Sequence, residues 1–313
     1  VNLFDDAIPI LSNNAQESDY EELKERFSHY DSSYVFNASY LPRRDYILKC
    51  YEKAKDYLDK DFVIEFRQKR KFIERMWELQ LCSILLHNKC NLLKEFSDKR
   101  KNISRPDFCI LDKNKNKIWI EATCMALGDI PEKPELKSGQ LYTRGGKIND
   151  SLILSTPRIT NALDKKYKKR SSYKDFYDFK DDDGFIIAIN TYNIGHKEPS
   201  NMSKELALYG MGLQYLKQSG ESGRYFHDTL LKRKGGKEVE IPVALFHREE
   251  YGRLSAVISS DNWFSFGNDG ETEMSDLIFT YFNHNALSPV DRNAINFGVQ
   301  RHMICDKDYC ELK

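Results

Sequence analysis

From residue 44 to residue 88 the chain sets apolar positions at helical spacing among charged ones. Tyr46, Ile47, Cys50, Tyr51, Ala54 and Leu58 recur three and four apart, which predicts a helix opening near Pro42. Phe72, Ile73, Met76, Leu79, Ile84 and Leu85 continue the period and predict one longer helix over 64–88. A shorter helical candidate, "SDYEELKERFSHY", stands in the polar stretch before them. The period then changes. "CNLLKEF" is followed by "RPDFCILDKNKNKIWIEAT", in which two apolar runs flank a polar, turn-forming tract, the mark of a β-hairpin. A Gly/Pro-punctuated connection over 128–157 follows, and Pro157 at the first helical position behind Thr156 as N-cap predicts the next helix, "PRITNALDKKYKKRSSYKDF". "GFIIAIN" is apolar throughout and predicts a buried strand. A helix around "SKELALYGMGLQYLKQ" precedes three strand candidates, "IPVALFH", "LSAVISS" and "DLIFTYF".

Through residue 190 this order is helix, three strands, helix, strand: an α/β core with helices on a mixed sheet. Residues 1–63 form a helical extension, 64–190 the core, and 191–313 a β-rich α/β elaboration of the same domain. The Gly-rich "KRKGGK" (232–237) reads as a hairpin loop rather than a linker, so one elaborated domain is expected.

The 313 residues, 40% hydrophobic and 12% aromatic, suffice for a real core. A mean hydropathy of −0.64 describes a very soluble chain. Lysine plus arginine and aspartate plus glutamate both number 48, so net charge names no partner, and any nucleic-acid surface must be local. No apolar run reaches the roughly 18 residues of a membrane span, and the acidic N-terminus lacks the features of a signal peptide. Seven scattered cysteines, several in apolar periodic segments, suit a reducing, cytoplasmic compartment. "CDKDYC" lacks the second Cys or His pair of a zinc clip.

The hairpin carries the candidate chemistry. A turn centred on 114–115 pairs Asp107 with residue 122, which makes Asp107 and Glu121 near cross-strand neighbours. Two carboxylates so close repel, and a hard divalent cation between them relieves the repulsion. Glu121 follows "IWI" within a segment that should be buried, where a carboxylate needs a partner. Glu74 and Glu78, four apart on the preceding helix, offer a third acid. Glu74 fits an exposed ladder with Arg70 or Lys71; Glu78, embedded in "MWELQL", fits the core boundary.

A helix glutamate, then "PD", then a hairpin return to "IEAT", then a helix and a strand: this order resembles the PD-(D/E)XK nuclease superfamily, with its restriction-endonuclease-like αβββαβ core. The phrases "RMWELQL", "WIEAT", "RITNAL", "FIIAIN", "LSAVIS" and "NHNALSP" look similar to uncharacterised bacterial and phage members. The resemblance implies a nuclease that cuts DNA or RNA with Mg²⁺ or Mn²⁺, in a setting such as restriction or phage defence. It implies Asp107, Glu121 and the carbonyl of Ala122 as metal ligands, and Glu78, before Glu74, as the acid that orients water. The family's lysine, two residues after the glutamate, is replaced here by Thr123, whose hydroxyl hydrogen-bonds but carries no charge. Arg158, Ala162 and Lys166 form one stripe of the next helix, with a small residue letting it approach the sheet. Lys166 is therefore the first surrogate for the missing lysine and Lys165 the second, while Lys168 and Lys169 fit a solvated helix end. Without such a surrogate the chain fits a non-catalytic nucleic-acid- or protein-binding module. Monomer and homodimer both remain open.

Basic clusters at 98–101, 165–170 and 232–237 suit a nucleic-acid channel or an ordinary soluble surface, and the connection over 128–157 suits a lid or a substrate loop. His247, His284 and His302, far apart in sequence, read as packed or surface histidines.

Overall fold

The structure is a computed structural model that describes residues 41–94, 104–125, 135–136, 146–176, 178–191, 201–216, 222–234, 237–261, 278–305 and 310–313, with positions 3–4, 16, 18–19 and 22–23. Five helices are used below: α1 (Leu41–Ala54), α2 (Phe62–Phe66), α3 (Lys69–His87), α4 (Gly146–Lys169) and α5 (Asn201–Tyr209). The strands are β1 (Asn91–Leu92), β2 (Phe108–Leu111), β3 (Lys117–Cys124), β4 (Glu135–Leu136), β5 (Gly184–Asn190), β6 (Met211–Leu216) and β7 (Ser222–Phe226). Then follow β8 (Thr229–Lys234), β9 (Lys237–Pro242), β10 (Ala256–Ser260), β11 (Ile278–Phe282), β12 (Val299–Cys305) and β13 (Cys310–Leu312).

Eight strands form one mixed sheet in the order β1-β2-β3-β5-β10-β11-β12-β13. β1, β2 and β3 are an antiparallel meander; β5 runs parallel to β3 after the α4 crossover, and β10 parallel to β5. The fold is thus α/β, and the late strands extend the sheet that the hairpin begins. β3 and β5 are nearly continuous apolar runs because both of their faces are covered. Ile118, Ile120, Ala122, Ile186 and Ala188 pack with α1, α2 and α3. Trp119, Phe185, Ile187 and Ile189 pack on the opposite face with Ile159 and Leu163 of α4 and Leu208 of α5. The Trp77 indole, fully buried on α3, donates to the Ala188 carbonyl at 2.9 Å and ties helix to strand.

The hairpin forms as the sequence leads one to expect. Asp112 Oδ1 accepts from the backbone N–H groups of Asn114 and Asn116 at 2.8 and 2.7 Å, and Lys115 turns through a left-handed φ of 64°. That aspartate-built turn sets the register. The strands pair Phe108 with Ile120 and Leu111 with Lys117, so the turn centres on Asn114. Continued by one step, this register sets Asp107 opposite Glu121 rather than opposite residue 122.

Four further expectations need correction. The helix expected over 64–88 is two helices, broken at Gln68, whose backbone is extended (ψ 124°). On a straight helix, positions 66 and 72 would face different sides; the break brings the Phe66 and Phe72 rings to 5.0 Å, and Arg67 reaches the carbonyls of Leu3 and Phe4. Helix α4 begins at Gly146 and carries Pro157 in its interior, so Thr156 is no cap; its hydroxyl donates instead to the Ser203 carbonyl on α5 at 3.4 Å. Burial of Thr156, Ile159, Thr160 and Leu163 outweighs the hydrogen bond that proline removes. The helix expected over 203–218 stops at Tyr209, and β6 follows. Gly210 ends it with φ +72°, and a Cβ there would lie 2.4 Å from the His227 carbonyl oxygen. "IPVALFH" leaves its strand at Pro242, and Leu245–His247 is a 3-10 turn behind a left-handed Ala244.

The loop of "KRKGGK" does join an antiparallel pair, β8 and β9. Most of "SDYEELKERFSHY", the cluster at 98–101 and most of the 128–157 connection lie outside the described residues. No helix among the described residues is long and apolar enough to cross a membrane.

Candidate active site

β3 runs on past the start of β2, and at that open edge Asp107 takes the place of a partner strand. Its Oδ2 accepts from the Ala122 backbone N–H at 2.6 Å. Glu121, fully buried in the middle of β3, shares a sheet face with Trp119 and Thr123. That face meets α4. Lys166 Nζ and Lys169 Nζ both donate to Glu121 Oε1 at 2.8 Å, and the Tyr173 hydroxyl donates to Oε2. Positions 166, 169 and 173 are three and four apart, so the end of α4 and the 3-10 turn Arg170–Asp175 present all three to one carboxylate. A carboxylate desolvated this far is costly unless it is paired and hydrogen-bonded, and Glu121 is both.

Glu78 comes from the other face of the sheet, on α3. It pairs with Arg75, which also reaches Glu65 and Asp59. Burial pushes the Glu78 carboxyl up to about 7 against the pull of Arg75, with Asp59 and Glu121 adding repulsion. Burial also holds Asp107 well above the usual carboxylate range; the charges of Glu121 and Glu78 add to this, opposed by Lys166 and the Ala122 N–H. Burial alone would lower Lys166, but Glu121 and Asp107 together outweigh it and raise the ammonium above its ordinary value. Asp107 therefore feels the charges of Glu78, Glu121 and Lys166, while Glu78 also feels Glu121 and Lys166 also feels Glu121.

The other expected residues sort by position. Glu74 is half-exposed and pairs with Lys71 at 3.5 Å, as an exposed ladder should. Thr123 is buried on the Glu121 face beside Ile189 of β5. Lys165 is exposed and is not brought to the acids; Arg158 is half-buried two turns earlier on α4. Lys169, expected to be only a solvated end, is a Glu121 partner, and Tyr173 was not singled out by its sequence context. The signal for both is their spacing from Lys166, which becomes visible once Lys166 is placed against Glu121.

Among the described residues, the acids are the side chains of this cluster suited to a hard cation, and Asp107 Oδ1 has no hydrogen-bond partner there. Among the described residues, no group of three or more His, Cys, Asp or Glu is placed to hold a metal ion. A separate open cleft of about 470 Å³ lies at the turn end of the hairpin, lined by Asp112, Lys117, Lys180, Asp183 and Ser288, away from the acids. His247 and His284, distant in sequence, meet ring to ring at 4.8 Å on the surface. No family model, curated protein or solved structure matches this chain.

Proposed function

We propose that this protein hydrolyses phosphodiester bonds in DNA or RNA with Mg²⁺ or Mn²⁺ on a restriction-endonuclease-like core. The observation that carries the reading is the 2.8 Å contact of Lys166 Nζ with Glu121 Oε1 beside Asp107. A cation thus reaches the acids from α4, although Thr123 occupies the strand position where the resembled family has lysine. Apart from β4, which pairs with β8 in another sheet, the element order α3, β1, β2, β3, α4, β5, with β5 parallel to β3, supports the same core.

The residues fit the metal. The buried Asp107 carboxyl, which resists ionising beside the Glu121 charge, gains from a divalent cation. Mg²⁺ is commonly held by one or two carboxylates plus the phosphates of its substrate, without an all-protein cage. Asp107 and Glu121 would hold it, with the Ala122 carbonyl as a further oxygen. When bound, such an ion supplies Lewis-acid polarisation of the phosphate and a more acidic water. The protein's own parts have separate tasks. Lys166 and Lys169, relieved of part of their hold on Glu121, supply positive charge for a phosphate. Tyr173 fixes the Glu121 orientation, and Asp107 stays anchored through the Ala122 N–H. Glu78, with its carboxyl near neutrality, is the acid suited to exchange a proton with water. A setting in restriction or phage defence follows by analogy of fold.

The test is cleavage of single- and double-stranded DNA and RNA with Mg²⁺ and Mn²⁺. Cleavage is expected, blocked by EDTA and abolished by Asp107→Ala and by Glu121→Ala. Persistence in both variants, or indifference to EDTA, removes the mechanism. A second reading, a binding module that does not cut, is favoured by one observation: both Glu121 oxygens are already engaged by Lys166, Lys169 and Tyr173. Titration calorimetry with Mn²⁺ separates the two. The nuclease takes up the ion and releases protons, because Asp107 must ionise; the binding module shows no heat of metal binding and binds nucleic acid regardless.

A further inference from the structure

At the far edge of the sheet, β12 and β13 place two cysteines at paired register positions. Cys305 is the last residue of β12 and Cys310 the first of β13, and the antiparallel register pairs them directly. The hydrogen-bond pattern identifies the kind of pair. His302 and Lys313 exchange both backbone bonds at 2.9 Å, N–H to carbonyl in each direction. Pairs alternate along an antiparallel ladder, so Met303 with Leu312 is a non-hydrogen-bonded pair, Ile304 with Glu311 a bonded one, and Cys305 with Cys310 non-hydrogen-bonded again. Opposed residues of that kind have Cα atoms about 4.5 Å apart, inside the range of roughly 4.4–6.8 Å that a disulfide spans. A bonded pair, at about 5.5 Å, holds its side chains farther apart.

We infer that Cys305 and Cys310 are an oxidisable dithiol that closes a disulfide between β12 and β13. The oxidant is a low-molecular-weight disulfide such as oxidised glutathione. One cysteine thiolate attacks it, forming a mixed disulfide and releasing one glutathione thiolate. The second cysteine thiolate then displaces the other glutathione and closes the S–S bond. The two protons given up by the cysteines go to the two released glutathione thiolates, so two protein thiols are oxidised and one glutathione disulfide is reduced.

Two further observations favour this pair over the rest of the chain. Cys50, Cys82, Cys90, Cys109 and Cys124 are free, and burial raises the thiol of each above its ordinary value, which suppresses the reactive thiolate. The placement also gives the bond something to control. β13 has three residues, is the outermost strand of the sheet and pairs with β12. Reduced, it is held by a few backbone hydrogen bonds; oxidised, it is fastened to the strand whose edge it covers.

Lys307 lies between the two cysteines, so protease cleavage after lysine separates them unless a disulfide joins the fragments. Native protein is equilibrated in glutathione buffers of graded ratio, quenched by alkylation, digested and weighed by mass spectrometry, with the same series run in denaturant. The Cys305–Cys310 linked fragment is expected to form in the native protein with an equilibrium constant on the order of tenfold or more above the denatured value, because the register pairs the two positions. A native value equal to or below the denatured one overturns the inference, as does accumulation of glutathione on both cysteines without linkage. Hydrogen exchange reports the fastening: the His302 and Lys313 amides should exchange more slowly in the oxidised protein, and unchanged exchange overturns that part.

Discussion

In the proposed reading, Lys166 supplies the charge that a strand lysine at the place of Thr123 supplies in the resembled family. Lys166→Met should lower the rate of metal-dependent cleavage by about 10²–10³, the usual cost of removing one charged stabiliser of a developing negative charge. Thr123 shares the Glu121 face, so Thr123→Lys placed in the Lys166→Met background should restore part of the lost rate. Single-turnover cleavage measures both steps. No recovery, together with an intact fold by circular dichroism, would mean that Lys166 acts by holding Glu121 and not by meeting phosphate. Glu78 gives a test that needs no activity. Its carboxyl titrates near 4.5 as an ordinary glutamate and at about 7 in the folded protein, with burial the main cause. Between those values the folded state keeps a proton that the unfolded chain has lost. Stability therefore falls as pH rises from about 4.5 to about 7 and levels off above it, by up to about 3 kcal/mol from this group. Glu78→Gln should flatten that slope in urea unfolding followed across pH. An unchanged slope would place the titration elsewhere.

The elements show where periodicity stops being informative. Gly210 is the clearest case, because "LALYGMGLQYL" satisfies a helical and a strand period equally well. Only the left-handed φ at Gly210 and the approach of the His227 carbonyl decide between them. Gly210→Ala should therefore destabilise the protein by at least about 1–2 kcal/mol, read as a lower urea midpoint, whereas an alanine in a continuous helix would stabilise it. The hairpin, β5, β10 and β11 were legible because buried strands and an aspartate turn write themselves locally. The Gln68 break was not, since it is caused by ring contacts among Phe4, Phe66 and Phe72 that link distant segments. Neither was the early start of α4, since proline's usual place at a helix start was overridden by packing against α5. The same division runs through the candidate site. Asp107 and Glu121 could be set near one another from the hairpin spacing, and Lys166 chosen from its helix stripe together with the family resemblance. Lys169 and Tyr173 needed the angle at which α4 crosses β3, and the Arg75–Glu78 pair needed its neighbours Glu65 and Asp59.

At the scale of the whole molecule, charge limits how a nucleic acid can be bound. With 48 basic and 48 acidic residues there is no net field to draw in a polyanion, and binding must rest on a local group of cations. Among the described residues, α4 sets Lys166 and Lys169 on Glu121 and carries Arg158 two turns earlier, while Arg75 on α3 is taken up by Glu78, Glu65 and Asp59. A polyanion engaging the three α4 cations displaces counterions from about three phosphates, so the logarithm of duplex affinity should fall against the logarithm of salt with a slope of about −3. Asp107→Asn, expected to bind without cutting, is the background in which to measure it, by fluorescence anisotropy on a labelled duplex between low and physiological salt. Adding Lys166→Met should reduce the slope by about one, while Lys165→Met, which alters an exposed lysine turned to solvent, should leave it close to its starting value. A slope two or more times steeper would require a broad basic surface elsewhere and would move the substrate off α4. Equal losses from Lys165→Met and Lys166→Met would reduce the helix end to an undifferentiated positive patch, and the pairing of Lys166 with Glu121 would then be a structural ion pair and not part of a phosphate site.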